Sequence, residues 1–261
     1  MKSAAASLAR LLGLLLIAAL ALQLYFLARV ALFAWIDPRS TTVQRSELWR
    51  LLRQPGALHW SQQWVPYDSV SRHLKRAVIA SEDAGFAEHA GVDWDALEKA
   101  WERNQRNEVD AERANANAER QARRSSGEPV AAPARHATPK LVGGSTITQQ
   151  LAKNLFLGGE RSLARKGQEM VITGFLEAVL SKERILEIYL NEVEWGEGVF
   201  GAEAAARRYF HVGAAGLSMA QAARLAVMLP APKRFEKRPA SPYLLSRAST
   251  VMARMGAVEL P

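Results

Sequence analysis

Two neighbouring carboxyl groups, Glu82 and Asp83, are the first residues in this sequence whose position indicates chemistry. They stand at the end of an apolar helical pattern that begins at Val70. Burial at such a helix end raises the pKa of a carboxyl group toward the range in which a general base works. His89 follows in the same segment as a candidate ligand or base, although a single histidine is more often a structural hydrogen-bonding residue. The segment therefore predicts acid–base chemistry centred on a carboxyl group.

A second candidate site is an uncharged polar stripe in the segment GGSTITQQLAKN, residues 143–154. Helical spacing places four of its side chains on one face: Thr146, Gln149, Gln150 and Lys153. Neutral donors followed by one cation favour a polyhydroxyl or phosphate ligand near a helix N-terminus. The preceding glycines allow such a ligand to approach the N-terminus closely. A polar seam between two helices is the alternative, and the pattern alone leaves both open. The GxxxxGK[ST] spacing of a nucleotide-binding P-loop is absent.

A third candidate is the segment RKGQE, in which Arg165 and Lys166 precede Glu169 on one helix face. A surface ion pair worth about 0.3 kcal/mol is the simpler interpretation. A cation that precedes the glutamate is, however, the less stabilising order in a helix, so a functional cluster stays open. Two cations beside one carboxylate can bind a pyrophosphate, directly or through a divalent ion.

The composition excludes several kinds of site. The 261 residues contain no cysteine, which excludes disulfides, thiolate zinc sites and thiol nucleophiles. The 34 Lys and Arg exceed the 26 Asp and Glu and give a net charge of +8, which suits a phosphorylated substrate, an acidic lipid or nucleic acid. Charge alone does not choose among these partners. With 49% hydrophobic residues, the chain can bury one sizeable core in a single domain.

The N-terminal residues predict a membrane anchor. Leu11–Ala28 is an apolar run whose only strongly polar member is Gln23, and the apolar character resumes from Val30 to Ile36. Because a bilayer core of roughly 30 Å needs about 20 apolar helical residues, residues 11–36 are predicted to span the membrane. A cleaved signal peptide is the alternative, but the apolar run is long for one and no small-residue cleavage site directly follows it.

The charges beside this span predict its orientation. Lys2 and Arg10 are expected to hold residues 1–10 in the cytoplasm, so that the chain beyond Asp37 lies on the other side. Aromatic side chains are expected to anchor the outer end of the span: Tyr25, Phe33 and Trp35.

Helical periodicity dominates the rest of the chain, and alternating strand patterns are almost absent, which predicts a mainly α fold. One helix is predicted up to Glu82, further helices over residues 162–191 with a break at Ser181, and a later helix that begins with a capping box at Ser218 and Gln221. That last helix is predicted to end at Pro230.

Two segments lack this periodicity. Residues 37–69, with scattered prolines and tryptophans, are predicted to form a juxtamembrane connector. Residues 102–140 contain no aromatic residue and few large aliphatic ones, so they are predicted to be a disordered or loosely helical insertion. The basic run 120–124 within it suits nucleic acid, but a solvated loop is the favoured interpretation.

In their order, these motifs resemble those of the peptidoglycan glycosyltransferases, family 51, found in class A penicillin-binding proteins and their monofunctional relatives. The resemblance covers residues 70–242 and rests on EDxxFxxHxGxD, GGSTITQQLAKN, RKxxE and KERILEIYLN, followed by FGAEAAARRYF and QAARLAVMLPAP. The chain contains no Ser-x-x-Lys, the nucleophile motif of the transpeptidase domain, so it is similar to the monofunctional members.

The resemblance implies a lysozyme-like, mainly α glycosyltransferase domain over residues 70–261, with a small membrane-proximal jaw. It implies a single-pass protein of the bacterial inner membrane whose catalytic domain faces the periplasm. The expected substrates are lipid II and the lipid-linked growing glycan, other cell-wall synthesis proteins are candidate partners, and nucleic acid is not expected as a partner.

The resemblance also implies residue roles. Glu82 is expected to deprotonate the acceptor hydroxyl, and Glu169 to be a second catalytic carboxylate that orients the cations or a divalent ion, Mg²⁺ or Mn²⁺. The remaining expected substrate-binding residues are Asp83, Phe86, His89, Ser145, Thr146, Gln149, Gln150, Lys153, Arg165 and Lys166.

Two other functions are weighed against this one. A lytic transglycosylase or lysozyme-type enzyme shares the fold but cuts glycan, and it needs one acid of raised pKa but no pyrophosphate-binding cations. A non-catalytic envelope scaffold explains the anchor and the basic charge but not the paired carboxyl groups.

Overall fold

The computed structural model describes residues 2–55, 58–126, 137–138, 143–160 and 162–261. The chain divides into two compact units, one made of Met1–Gly91 with Thr146–Pro261 and the other of Val92–Ser145. The α-helices are α1 (Lys2–Leu32), α2 (Thr42–Leu52), α3 (Arg72–Glu82), α4 (Trp94–Ser126), α5 (Ile147–Phe156), α6 (Leu163–Val179), α7 (Lys182–Glu192), α8 (Ala202–Phe210), α9 (Met219–Met228), α10 (Pro232–Phe235) and α11 (Pro242–Arg254). The strands are β1 (Ser61–Gln62), β2 (Glu194–Gly196) and β3 (Val199–Phe200). The prediction of a mainly α fold is confirmed.

Hydroxyl side chains set the starts of most helices in the larger unit. Each accepts a hydrogen bond from a first-turn backbone N–H and so satisfies a donor that has no partner inside the helix. The capping residues are Thr41, Ser71, Thr146, Ser162, Ser181, Ser218 and Ser241. The predicted capping box of Ser218 and Gln221, the break at Ser181 and the helix end before Pro230 are all confirmed.

The core of the larger unit lies between two groups of helices. α3 packs against α9 and α11, while α5 packs against α6 and α7. Four aromatic side chains are the largest fully buried groups: Trp195, Tyr189, Phe86 and Phe200. Because Leu74, Ala77, Val78 and Ile79 are all fully buried, α3 is fixed along its length and so is the position of Glu82 at its end.

The segment predicted as a connector, residues 37–69, contributes a helix and a strand to the larger unit. α2 begins with a capping box of Thr41 and Gln44, and the Gln44 amide donates a 2.5 Å hydrogen bond to the buried carboxylate of Glu192. β1 pairs in parallel with β3, which pairs antiparallel with β2, so the strand order is β1-β3-β2. These strands have only two or three residues, too few for an alternating pattern to show in the sequence.

The smaller unit contains the described part of the segment 102–140, and most of that part is helical, the second of the two alternatives predicted for it. Residues 102–126 belong to α4, including the basic run 120–124, which was expected in a loop. The rest of the predicted insertion falls mainly on residues 127–136 and 139–140, which lie outside the described residues. The segment lacks core-forming residues, but its alanine, glutamate, arginine and glutamine favour a helix without one. A hydrogen-bonded ion pair of 3.0 Å joins Arg106 and Glu102 one turn apart.

α1 is long and apolar enough to cross a membrane over residues 6–32, as judged by length and composition. Its helix ends at Leu32, before the predicted limit of residue 36. Phe33 is 5% exposed and stacks on Phe156, with ring centroids 5.9 Å apart, whereas Trp35 is 82% exposed. Phe33 is therefore part of the protein core, and its prediction as an interfacial anchor is wrong.

We expect Phe33→Ala to lower the free energy of unfolding of the full chain by about 3 kcal/mol, because it leaves a cavity beside Phe156. Trp35→Ala, on the same turn but exposed, should change it by less than about 0.5 kcal/mol. Denaturant-induced unfolding of the wild type and both variants, all in the same detergent, measures these free energies. Equal effects would contradict the packing of Phe33 against the domain.

Candidate active site

Glu82 ends α3 in a partly buried position beside α5. One carboxylate oxygen, Oε2, accepts a 3.0 Å hydrogen bond from the amide nitrogen of Gln150. The other, Oε1, is 3.5 Å from the hydroxyl of Ser81, at the limit of a hydrogen bond. Burial is the main cause that raises the pKa of Glu82, and it outweighs the hydrogen bond from Gln150, which lowers it. The predicted desolvated carboxyl group is therefore present.

Tyr189 orients the amide of Gln150. Its hydroxyl, on a fully buried side chain of α7, donates a 2.9 Å hydrogen bond to Oε1 of Gln150. The amide nitrogen of Gln150 is left to face Glu82, so three side chains from three helices form one hydrogen-bonded chain.

Asp83 joins the end of α3 to the start of α5. One of its oxygens accepts a 2.9 Å hydrogen bond from the backbone N–H of Ile147, the first residue of α5. The other lies 2.7 Å from Nε2 of His89. A buried carboxylate at a helix N-terminus satisfies a free backbone donor and interacts favourably with the helix dipole. Asp83 and His89 hold the site together and use their polar atoms on each other and on the backbone.

Two members of the predicted polar stripe are also structural. Thr146 and Gln149 form the capping box of α5, and both side chains are buried. The Thr146 hydroxyl donates a 2.7 Å hydrogen bond to the carbonyl oxygen of Gly91, and the Gln149 amide contacts the sulfur of Met170. Their prediction as cleft-lining ligands is therefore corrected, because Thr146 precedes the helix and the buried Gln149 side chain turns back to accept a hydrogen bond from the Thr146 backbone N–H. Ser145, an exposed residue, belongs to the smaller unit.

The loop that carries the first motif is pinned by Lys182, the first residue of the fourth motif. Its ammonium donates hydrogen bonds to the His89 carbonyl, at 2.6 Å, and to Glu177, at 2.9 Å, and lies 4.6 Å from the ring centroid of Phe86. Phe86 is fully buried beneath it, so the prediction that Phe86 contacts substrate is corrected. Gly91 closes the loop at a φ of 87°, where an added Cβ would meet Thr173 Cγ2 at 2.6 Å.

A cavity of about 490 Å³ lies beside Glu82's partner Gln150 and is lined by two cations, Lys153 and Arg165. Burial is the main cause that lowers the pKa of Lys153. Asn154 and Glu194 line the same cavity, and the sequence analysis did not single out either of them. Burial raises the pKa of Glu194 to about 7, and its nearest cation is Lys233, at 3.2 Å.

Glu169 is 3% exposed and binds the two cations that precede it. Its Oε2 accepts a 2.7 Å hydrogen bond from Arg165, and its Oε1 accepts one from Lys166. The predicted cluster is thus present. Because each oxygen accepts a hydrogen bond from a cation, Glu169 serves here as the counter-ion of Arg165 and Lys166, and we assign no step to a metal.

A comparison with known proteins identifies the family to which this chain belongs. Residues 52–114 and 130–256 match the family described as Transglycosylase. The chain belongs to this family. The family match omits residues 115–129, which fall inside the segment predicted to be an insertion.

Curated relatives agree with this assignment. Each is named a biosynthetic peptidoglycan transglycosylase. The one from Burkholderia thailandensis is 51% identical over 242 residues, covering 93% of this chain and 83% of the relative. The one from Paraburkholderia xenovorans is 49% identical over 246 residues, covering 94% and 90%. That from Bordetella pertussis is 49% identical over 239 residues, covering 92% and 88%.

The predictions of a glycosyltransferase and of its lysozyme-like, mainly α domain are confirmed by this membership. In this transglycosylase the structure brings six of the predicted site residues to the cavity, its neighbourhood or its cation cluster: Glu82, Gln150, Lys153, Arg165, Lys166 and Glu169. Asp83, His89, Thr146 and Gln149 instead hold the elements that carry those groups.

We expect Thr146→Ala to lower the free energy of unfolding of this transglycosylase by about 1–2 kcal/mol, because it removes the cap of α5 and the bond to Gly91. Thr146→Ser, which keeps the hydroxyl, should retain most of the stability. Thermal unfolding of the two variants in parallel measures the difference. A Thr146→Ala variant as stable as the wild type would return Thr146 to the substrate-binding residues.

Proposed function

We propose that this transglycosylase polymerises lipid II into linear glycan strands during cell-wall synthesis, with a domain over residues 70–261 that carries the reaction. The observation that carries the proposal is the double role of Gln150. It lines the cavity that holds Lys153 and Arg165, and it donates a hydrogen bond to Glu82. A carboxyl group of raised pKa therefore stands next to a cationic cavity that suits a diphosphate.

Glu82 acts as the general base in this proposal. Its Oε1, the oxygen that Gln150 leaves unbound, takes the proton of the acceptor GlcNAc 4-hydroxyl as that oxygen attacks C1 of the donor MurNAc. The new C1–O bond forms as the C1–O bond to the diphosphate breaks. Attack from the side opposite the leaving group inverts the configuration at C1, as in other inverting reactions with a base on one face.

Lys153 and Arg165 hold the leaving undecaprenyl pyrophosphate, which departs with the electron pair of the broken bond. Fixed cations in a partly buried cavity stabilise the charge that develops there, since water screens them less. Glu169 keeps Arg165 and Lys166 in place and prevents the two cations from separating. A glycan-cutting enzyme has no diphosphate to bind, so this cation cluster favours synthesis over cleavage.

The proposal also places α1 in the bacterial inner membrane as a single-pass anchor, with the catalytic unit on the periplasmic side. The apolar helix over residues 6–32 supports this, because its first half exposes leucines that water would not favour. A substrate with a polyprenyl tail is confined to the same membrane. Lipid II and the lipid-linked glycan are then the partners of the site.

The pH profile follows from the burial of Glu82. A base must be ionised, and burial raises the pKa of this carboxyl above its ordinary value of 4.5. Turnover should therefore be full above the raised pKa and fall tenfold per pH unit below it. Turnover rates at saturating lipid II, measured across a pH series, define this acidic limb of the pH profile. Glu82→Gln should lose the limb along with most of its rate, and an unchanged limb in that variant would assign it to another group.

Polymerisation of purified lipid II by the full-length protein, read by glycan chain analysis, is the direct test. We expect polymer from the wild type, whereas a glycan-cutting enzyme or a scaffold would form none. Glu82→Gln should lower turnover by about 10² to 10⁴ while lipid II still binds, because the change removes the base and keeps the shape. Glu169→Gln serves as the contrasting variant and should weaken donor binding as well as rate. Near wild-type turnover in Glu82→Gln would overturn the mechanism.

A further inference from the structure

A reciprocal amide pair joins the apolar helix α1 to the catalytic helix α6. The side-chain nitrogen of Gln23 donates to the Oε1 of Gln168 at 2.9 Å, and the nitrogen of Gln168 donates to the Oε1 of Gln23, also at 2.9 Å. Each amide satisfies the other, which is the geometry that a polar group inside a membrane requires.

The rest of α1 around this pair is built for lipid. Leu22 and Leu24, on either side of Gln23, are 47% and 65% exposed. Phe26 and Val30 follow Gln23 at helical spacing and are buried against the catalytic unit. Gln23 thus starts the face that docks on the protein, at a position where rotation or sliding of α1 would break a directional side-chain bond.

The partner of Gln23 lies beside the cation cluster along α6. Gln168 stands between Lys166 and Glu169 on α6 and three residues after Arg165. Since a helix rises about 1.5 Å per residue, the amide pair lies within about 5 Å of these groups along the axis. A shift of α1 against α6 therefore moves the cations relative to the bilayer.

A second tie fixes the other end of the anchor. The guanidinium of Arg184 donates to the Phe33 carbonyl at 2.8 Å and to the Asp37 carboxylate at 2.7 Å. α1 is consequently held at two heights, by α6 and by α7, and behaves as part of the catalytic unit. A flexible tether would need neither bond.

We propose that the Gln23–Gln168 pair is a positioning element that sets the depth at which Arg165 and Lys166 meet the diphosphate of a membrane-embedded substrate. This inference rests on the proposed function of the cavity. The diphosphate of a lipid-linked sugar stays at the headgroup level, so cations held above or below that level meet it less often. The pair acts through α6 and does not touch the reacting atoms.

The test compares one variant on two substrates. Gln23→Leu in full-length protein, reconstituted in phospholipid nanodiscs, should polymerise bilayer-embedded lipid II about tenfold more slowly at subsaturating substrate. With a short-chain, water-soluble lipid II analogue in detergent, the rate of the same variant should stay within twofold of the wild type, because no bilayer fixes the height of the diphosphate there. A wild type that makes no polymer from either substrate would instead refute the proposed function.

A matched control keeps the composition of α1 and moves only the amide. The double variant with Gln23→Leu and Leu24→Gln turns the amide about 100° toward the exposed side and should behave like Gln23→Leu. A readout independent of activity comes from a spin label on Gly167→Cys, since the chain has no other cysteine and Gly167 is exposed with open space around it. Its accessibility to lipid-soluble and water-soluble relaxants reports the depth of α6.

The expected result is a slower rate in nanodiscs alone, together with a changed label depth in Gln23→Leu. Three outcomes of the rate measurements would each overturn the proposal. They are an unchanged rate in nanodiscs, an equal loss on both substrates, which indicates a folding defect, and restoration by Leu24→Gln, which shows that the placement of the amide does not matter. An unchanged label depth beside a slower rate would likewise reject depth as the cause.

Discussion

One buried carboxylate, Asp83, holds the two helices of the site in register. Its oxygens bond to the first backbone N–H of α5 and to His89, so the end of α3, the start of α5 and the loop between residues 83 and 91 meet at one group. Glu82 is the neighbouring residue, and Gln150 lies one turn into α5. The hydrogen bond between Glu82 and Gln150 is therefore set by Asp83. Burial at this contact also raises the pKa of both carboxyl groups, Glu82 and Asp83.

The predictions from sequence succeeded where local pattern decides and failed where helix boundaries or distant contacts decide. Periodicity and capping residues located α3, α6, α7 and α9, because these signals are written in consecutive residues. Thr146 and Gln149 were misassigned because a helical stripe assumes that every member lies inside the helix and points outward. Thr146 lies one residue before α5, and the side chain of Gln149 turns back to cap it. Phe86 was misassigned because the cation that covers it, Lys182, comes from a motif far along the chain.

Glu194 and the anchor show the same limit at longer range. Burial is the main cause that raises the pKa of Glu194; Glu47 on α2 adds to the rise, Lys233 on α10 opposes it, and no local spacing connects these residues. Gln23 stood out in the sequence as a polar interruption, but its partner on α6 lies 145 residues away. The sequence left residues 102–126 open between disorder and a loose helix for a different reason. A helix without a buried face carries no periodic apolar signal, and only its propensity marks it.

The hydroxyl of Tyr189 has a consequence for where a captured proton resides. By donating to Oε1 of Gln150, it makes the amide one-directional, so that Gln150 presents only hydrogens to Glu82. A proton on Oε2 of Glu82 would then face another hydrogen, and the neutral acid must carry it on Oε1. The phenol of Tyr189, on α7, thereby selects which of the two carboxyl oxygens of Glu82 carries the proton.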